Sequence, residues 1–262
     1  MNDQTVTDEK MPLVSHLEEL RARLMRISIV LVVAFVLCYQ WSETLFLVIA
    51  RPLIDALPGG SSMIFTSPTE AFFIYLKVAF FAAIFVTSPY WLFQIWRFIS
   101  PGLYKSEKKH VFPFIVVSST LFIAGVLFAY FVVFPMAFKF LLSYASEFIR
   151  PMISIREYLS LVLRFLLAFG VIFELPVFMY FLAKIGVVNA PFLVAKRRYA
   201  ILLIFIAAAV LTPGPDVVSQ VLMAVPLLIL YEVSILVVRL TARKPAAAPV
   251  EDEGTEEVDE KE

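Results

Sequence analysis

The sequence predicts an all-α integral membrane protein with six transmembrane helices. Hydrophobic residues make up 61% of the 262 residues, which is well above the roughly 45–50% of soluble domains, and the mean hydropathy is +0.87. About 20 apolar residues form a helix long enough to cross a bilayer. The predicted spans are residues 24–41, 72–96, 111–135, 159–182, 199–211 and 217–238.

The basic residues predict the orientation of these spans. Sixteen of the 22 Lys and Arg residues lie before or at the very start of the first span, after the last span, or in the segments that follow the second and fourth spans. Cytoplasmic segments are enriched in Lys and Arg, so both termini are predicted to be cytoplasmic. Residues 1–240 form one predicted membrane domain, and the acidic tail, 241–262, is predicted to be disordered.

Composition and motifs argue against several other classes of protein. Cys38 is the one cysteine, so no intrachain disulfide can form. Only His16 and His110 occur, and the chain has no HExxH, GxxxxGK[ST] or GxGxxG motif, so no metal site, cofactor or nucleotide site is expected. The sequence offers no pair of a nucleophile and a base, so an enzyme is not predicted. No nucleic-acid partner is expected. The five acidic residues among the first 26 argue against a cleaved signal peptide.

Two acidic residues begin the first predicted helix. Ser15 and Glu18 have the spacing of a capping box, which predicts that the helix starts at Ser15. Glu19 is rotated by about 100° from Glu18 and is available for another role. Spacing leaves two interpretations of Glu19 open, a pair with Arg23 four residues later or a carboxylate that binds a ligand.

The two segments predicted to lie outside the membrane contain helix signals. Residues 42–71 carry apolar side chains at helical spacing, which predicts an amphipathic interfacial helix. At the end of that segment, Ser67, Pro68 and Glu70 are predicted to start the second span as N-cap, first-turn proline and N3 carboxylate. Residues 143–157 end in a similar pattern that starts at Ser154, so the two segments together predict a structured cap.

The cytoplasmic loop 97–109 contains a single carboxylate, Glu107, among several cations. Pro101 and Gly102 predict a turn within it. On the sequence alone, Glu107 can be a ligand-binding carboxylate or part of a solvated charge cluster.

Glu174 lies roughly two-thirds of the way along the fourth predicted span. A carboxylate facing lipid costs at least a few kcal/mol, so Glu174 is predicted to face protein or a water-filled recess. Pro176 frees a backbone carbonyl one turn earlier, which suits the same polar face. The alternative is a protonated side chain that is hydrogen-bonded to a neighbouring helix.

The fifth predicted span is short, and the sixth has only 15 residues, 217–231, or about 22 Å of helix, before Glu232. Residues 199–211 give about 20 Å of helix against about 30 Å of hydrocarbon, which predicts local thinning of the bilayer or shelter beneath the cap. A tight turn, 212–216, joins the two helices, and Asp216 is the predicted N-cap of the last one. Gln220 adds a second polar group within the membrane.

Five motifs resemble the TatC family, the multispanning receptor subunits of the twin-arginine translocase. They are SHLEELRARL at 15–24, FISPGLYKSE at 98–107, FAYFVVFP at 128–135, FGVIFELP at 169–176 and TPGPDVVSQ at 212–220. The resemblance implies a cupped six-helix protein of the bacterial cytoplasmic (inner) membrane. Such a protein recognises the Arg-Arg signal peptides of folded proteins, self-associates in a larger complex, and works with the single-span subunits TatA and TatB, powered by the proton-motive force.

The resemblance also implies roles for individual residues. Glu19 and Glu107 match the carboxylates that bind the signal arginines, while Phe98 and Arg21 match an aromatic and a basic residue of the same surface. Glu174 matches a glutamate on the concave side. Thr212, Asp216 and Gln220 match positions in the region where partner helices dock. Pro52 matches a functional proline of the outer cap.

Two other functions remain open from the residues themselves. Glu174 would carry the proton in an ion-coupled secondary transporter, although the chain shows no internal repeat of the kind found in many such transporters. A structural scaffold for other membrane subunits would depend on the short helical hairpin and not on Glu19 or Glu107.

Overall fold

The structure, a computed structural model, describes residues 13–57, 63–99, 111–146, 151–212 and 217–241. Within these ranges the chain is helical, apart from turns and one isolated parallel bridge between Ile64 and Ser154. The helices are α1 (Leu13–Gln40), α2 (Ser42–Ile54), α3 (Glu70–Val86), α4 (Ser88–Ile99), α5 (Val111–Phe128), α6 (Phe134–Leu142), α7 (Ile155–Phe173), α8 (Leu175–Lys184), α9 (Ala190–Ala195), α10 (Arg197–Leu211) and α11 (Val217–Thr241). A π-helical turn, Ala129–Val133, joins α5 to α6.

Four helical stretches are long and apolar enough to cross a membrane, and a bent pair gives a fifth. The four are Ser15–Gln40, Pro113–Leu142, Ile155–Lys184 and Val217–Thr241, and the pair is α3 with α4. The all-α membrane class is therefore confirmed. The fifth predicted span corresponds to α10, which has 15 residues, so the count of six spans and their orientation remain predictions.

Proline and hydroxyl side chains mark the breaks within the longer stretches. α3 and α4 meet at an angle of 55°, where Thr87 and Ser88 each donate a side-chain hydrogen bond to a carbonyl of the preceding turn. Pro89 follows and lacks the amide that would continue the helix. Glu174 and Pro176 similarly divide α7 from α8, so two predicted spans each consist of two helices.

Small residues bring α5 and α7 close together. A Cβ atom added at Gly125 would lie 2.5 Å from the carbonyl oxygen of Phe169, and one added at Gly170 would lie 2.7 Å from the ring of Phe122. Both distances are shorter than van der Waals contact, so glycine is required at this crossing. The rings of Phe122 and Phe169 are fully buried, and they fill the space on either side of it.

The predicted cap is present as a contact between the segments before α3 and α7. Ile64 donates its amide to the carbonyl of Ile153, and Ile155 donates its amide to that of Ile64, each at 3.0 Å. The side chain of Glu70 is buried at this junction. Its Oε2 accepts from the Thr66 amide at 2.8 Å and its Oε1 accepts from the Arg156 amide at 3.0 Å. Glu70 therefore caps the first turn of α7 from another helix.

Two predicted helix starts are wrong. α1 begins at Leu13, so Ser15 lies within its first turn and is not the N-cap. α3 begins at Glu70, and its N-cap residue Thr69 makes no side-chain capping bond. The predicted start of α7 after Ser154 is confirmed, and the predicted helix within residues 42–71 is present as α2.

The substitution Glu70→Ala should lower the melting temperature of the purified protein by several degrees, because it leaves the amides of Thr66 and Arg156 without their acceptor. Differential scanning fluorimetry in detergent would measure this effect. Glu157→Ala is the matched control, since Glu157 is exposed in the first turn of the same α7. Equal melting of the two variants would contradict the assigned role of Glu70.

Candidate functional site

The start of α1 and the end of α4 lie side by side and run in opposite directions. The rings of His16 and Phe98 are stacked, with centroids 4.4 Å apart and planes inclined by 13°. About two turns further along α1, Arg23 is 8% exposed and donates from Nη1 to Oε1 of Gln94 at 3.2 Å. Gln94 in turn donates from Nε2 to the hydroxyl of Tyr90 at 3.0 Å. These contacts fix the position of Arg23.

Arg23 also holds Glu19. Its Nε donates to Oε1 of Glu19 at 3.0 Å, and its Nη2 bonds to the same oxygen. The interpretation of Glu19 as the i,i+4 partner of Arg23 is thus confirmed. The Glu19 side chain remains 30% exposed, so the ion pair holds a carboxylate in a defined orientation at the surface of α1.

Of the four residues predicted to bind a ligand here, the structure places three. Phe98 is half-buried against His16, which is one turn from Glu19 on α1. Arg21 is exposed, and two residues of helix turn it about 200° away from Glu19, so the two side chains do not share a face. Glu107 lies outside the described residues.

An apolar groove runs between α1 and α4 beside this cluster. Its volume is about 500 Å³, within the range of small-molecule pockets. It is lined by Leu20, Arg23, Leu24, Ile27 and Leu31 of α1, by Ile84 of α3, and by Trp91, Gln94, Ile95, Phe98 and Ile99 of α4. The bend between α3 and α4 lies at the end of the groove that is lined by Ile84 and Trp91.

A second polar cluster surrounds Glu174 at the break between α7 and α8. Ser118 of α5 donates to Oε2 of Glu174 at 2.6 Å, and the indole Nε1 of Trp96 donates to Ser118 Oγ at 2.8 Å. Oε1 of Glu174 is buried and has no hydrogen-bond partner among the described residues. The bond from Ser118 matches the alternative interpretation of Glu174 as a link to a neighbouring helix, while Oε1 leaves one acceptor unused.

The other predicted polar residues stabilise the hairpin of α10 and α11. Gln220 of α11 donates from Nε2 to the carbonyl of Phe205 in α10 at 3.0 Å. Thr212 donates to the carbonyl of Ala208 at 2.9 Å, closing the end of α10. Asp216 lies outside the described residues. Pro52 is buried in the last turn of α2, well separated in the chain from both polar clusters.

Sequence reasoning missed four of the residues that organise these clusters. His16, Gln94, Trp96 and Ser118 were not singled out, although each is a polar or amphipathic residue in or beside an apolar stretch. Such a residue must find a partner inside the protein. That rule would have selected them as candidates without identifying which residue each one contacts.

These features define a class, namely multi-helix membrane proteins with a structured cap and acidic residues held at helix ends and breaks. The family model described as Sec-independent protein translocase protein (TatC) matches residues 15–226. The chain therefore belongs to the TatC family, whose members are components of a protein translocase.

Individual relatives agree with this assignment. The Sec-independent protein translocase protein TatC of Desulforapulum autotrophicum is 46% identical over 90% of this chain and 87% of its own length. That of Magnetococcus marinus is 47% identical over 95% and 90%. A solved structure described as the crystal structure of the twin arginine translocase receptor TatC superposes with a TM-score of 0.78. It is 40% identical, and the match covers 87% of this chain and all of that one.

The substitution Ser118→Ala should lower the free energy of unfolding by about 2 kcal/mol, because it removes a partner from both Trp96 and Glu174 in the protein interior. Thermal or denaturant unfolding in detergent would measure the loss. Thr120→Val is the matched control, since the Thr120 hydroxyl bonds only to the Val116 carbonyl of its own helix. If both variants lose the same stability, the hydrogen-bond chain through Ser118 does not hold these helices together.

Proposed function

We propose that this chain is the signal-peptide receptor subunit of a twin-arginine translocase, which carries folded proteins across the bacterial cytoplasmic membrane. Membership of the TatC family and the 40% identity to a solved twin arginine translocase receptor support this function. The observation that carries it is the surface carboxylate of Glu19, held in place by Arg23 beside the aromatic ring of Phe98. In this proposal α3 with α4 forms one span, α10 forms a short span, and both termini are cytoplasmic.

The chemistry of two arginines explains why two carboxylates are needed. A guanidinium group is planar and is best bound by a carboxylate that accepts two hydrogen bonds. Arg23 already neutralises Glu19 and occupies its Oε1, so one incoming arginine would have to use Oε2. Glu107 then supplies the charge for the second arginine.

Phe98 and the surrounding cations would add selectivity. A guanidinium stacks on an aromatic face more favourably than an ammonium does, and the partly exposed ring of Phe98 lies against His16, one turn of α1 from Glu19. The exposed cation Arg21 would repel basic peptides that do not place their arginines on the carboxylates. A signal peptide with lysines in place of the arginine pair would therefore bind more weakly than its charge suggests.

The intramembrane polar residues would receive the partner subunits. Glu174 presents one oxygen without a partner among the described residues, and a polar group on a single-span helix could donate to it. The hairpin of α10 and α11, in which Gln220 bonds to α10 and Thr212 closes the end of α10, would provide the docking surface for TatA and TatB together with the predicted turn residue Asp216. Self-association into a larger complex would then place several receptors side by side.

The substitutions Glu19→Lys and Glu107→Lys should each abolish photo-crosslinking of the purified receptor to an Arg-Arg signal peptide, because each replaces a binding carboxylate with a repelling cation. Glu18→Lys is the matched control, since Glu18 is an exposed neighbour of Glu19 that faces another direction. Unimpaired crosslinking in the Glu107→Lys variant would contradict the proposed signal-peptide site.

The substitution Glu174→Gln should preserve more export of an Arg-Arg precursor than Glu174→Ala, because glutamine can still accept the hydrogen bond from Ser118. Inverted membrane vesicles energised by a proton-motive force would provide the export assay, with receptor abundance measured by immunoblotting. Equal loss in both variants would show that the carboxyl group itself is required. Proton-driven uptake of a solute by the chain alone in liposomes would favour a transporter instead.

A further inference from the structure

The helix α4 is hydrogen-bonded to α1 on one side and to α5 on the other. On the α1 side, Gln94 accepts from Arg23 at 3.2 Å. On the α5 side, the indole Nε1 of Trp96 donates to Oγ of Ser118 at 2.8 Å. Two residues of helix turn a side chain by about 200°, so these two bonds leave α4 in nearly opposite directions.

Each of these bonds continues to a carboxylate. Arg23 also bonds to Glu19 at the proposed signal-peptide site, and Ser118 donates to Oε2 of Glu174 at 2.6 Å. Hydrogen bonds and one short helix therefore connect the surface carboxylate of Glu19 to the intramembrane carboxylate of Glu174. The helix at the centre of this connection is α4.

The side chains that make the connection are buried. Gln94, Trp96 and Ser118 all lie in the protein interior, where water does not replace a lost hydrogen-bond partner. The ring of Trp96 also packs edge-on against Phe114 of α5, with centroids 4.6 Å apart, and lies 5.6 Å from the ring of Phe181 in α8. Since α8 begins directly after Glu174, Trp96 contacts both a helix that bonds to Glu174 and the helix that follows it.

The bend between α3 and α4 is a point at which α4 can tilt. Pro89 lacks the amide that would continue the helix. The hydroxyl of Ser88 and the indole of Trp91 donate to carbonyls before the break, at Phe85 and Ile84 respectively. Residues at the ends of helices commonly absorb a change of angle between two segments. A tilt of α4 relative to α3 therefore does not require the helical hydrogen bonds inside either segment to break.

An arginine bound at Glu19 would act directly on this connection. Nε and Nη2 of Arg23 both bond to Oε1 of Glu19, so a second guanidinium at the same carboxylate brings two positive charges close together. Among the residues that the structure describes, Arg23 is the one that bonds both to Glu19 and to α4. The free and the peptide-bound receptor would thus differ in the contact that positions α4, and such a difference is what lets a ligand shift a conformational equilibrium.

We propose that the binding of a signal-peptide arginine at Glu19 is transmitted through α4 to Glu174, with Gln94 and Trp96 as positioning residues. This inference rests on the proposed receptor function and adds its regulation. Occupation of the surface site changes the bond between Ser118 and Glu174, and with it the carboxyl group that a partner helix would contact. Coupling between distant sites is carried by packed side chains, hydrogen bonds and rigid elements, which here are α4 and the ring of Trp96.

The test observes the indole of Trp96 while the peptide binds. The chain has three tryptophans, so the full chain in nanodiscs, with isotope-labelled tryptophan, gives three indole N–H signals by NMR. The Trp96 signal is the one that is lost in Trp96→Phe, and its frequency depends on the bond to Ser118. We expect a saturating Arg-Arg signal peptide to shift this signal. The same peptide with alanines in place of the arginine pair should not, and an equal shift with both peptides would overturn the proposal.

A matched pair of variants tests the path through Gln94. In Gln94→Leu, at a peptide concentration that saturates the variant, the Trp96 signal should stay in place because α4 has lost its bond to Arg23. In Ile95→Leu, a change at an exposed neighbour on the same helix, the signal should shift as in the wild-type protein. Identical behaviour of the two variants would refute coupling through Gln94.

Coupling between two sites acts in both directions. Ser118→Ala should therefore change the Kd of the Arg-Arg peptide by about five-fold or more, whereas Thr120→Val on the same helix should leave it unchanged. Ser118 is fully buried, so a direct contact with the peptide does not explain such a change. An unaltered Kd in Ser118→Ala would contradict the proposal.

Measuring peptide binding separately, by fluorescence anisotropy of a labelled peptide, distinguishes the two proposals. If the Arg-Arg peptide does not bind the wild-type chain, the receptor function is wrong, and the coupling falls with it. If the peptide binds and the Trp96 signal does not move, the receptor function stands and the coupling through α4 is wrong.

Discussion

The carboxylate of Glu70 fixes the relation between two parts of the chain on which the rest of the fold depends. One oxygen accepts from Thr66 before α3 and the other accepts from Arg156 in the first turn of α7. Both helices therefore start at the same level beneath the cap. From that point α7 runs against α5 and reaches Glu174, while α3 runs to the bend that directs α4 past α1. The positions of both polar clusters therefore depend on the buried side chain of Glu70.

Among the described residues, the general rule for buried polar side chains within the apolar helices is a partner inside the protein. Hydroxyl groups bond to carbonyls of the preceding turn at the break beside Thr87, and Gln220 bonds to a carbonyl of the adjacent helix. In hydrocarbon an unpaired polar group costs several kcal/mol. Glu174 departs from this rule at Oε1, and this departure distinguishes it from the polar residues that only brace helices.

The sequence allowed the helices to be predicted better than the contacts between them. Apolar length located the long helices, and an i,i+4 spacing was enough to identify Glu19 with Arg23, because both depend on neighbours in the chain. The bond between Ser118 and Glu174 joins residues 56 positions apart. It depends on the close approach of α5 and α7 at Gly125 and Gly170, which no local pattern encodes.

The errors at helix starts have a similar cause. Ser15 and Glu18 have the spacing of a capping box, but α1 extends two residues further back. Glu70 has the spacing of an N3 carboxylate, yet it is the first residue of α3, and one of its oxygens accepts from Arg156 in α7 while the other accepts from Thr66. A local sequence pattern can indicate that a carboxylate is a helix cap, but the helix that it caps depends on tertiary packing. For the same reason, local spacing alone does not predict that Glu19 and Glu107 act on one ligand.

The π-helical turn Ala129–Val133 takes up one extra residue between α5 and α6. A π turn accommodates one residue more than an α turn, so the faces of α5 and α6 are offset by about 100°. Tyr130 within the turn bonds to the carbonyl of Val48 in α2, and beyond it Phe134 and Phe138 are buried. Loss of one residue within the turn would convert it to an α turn and leave those two rings in the core. Loss of one residue elsewhere in α5 or α6 would instead rotate them out of it, so the turn is the one place in this stretch that can absorb a change in length.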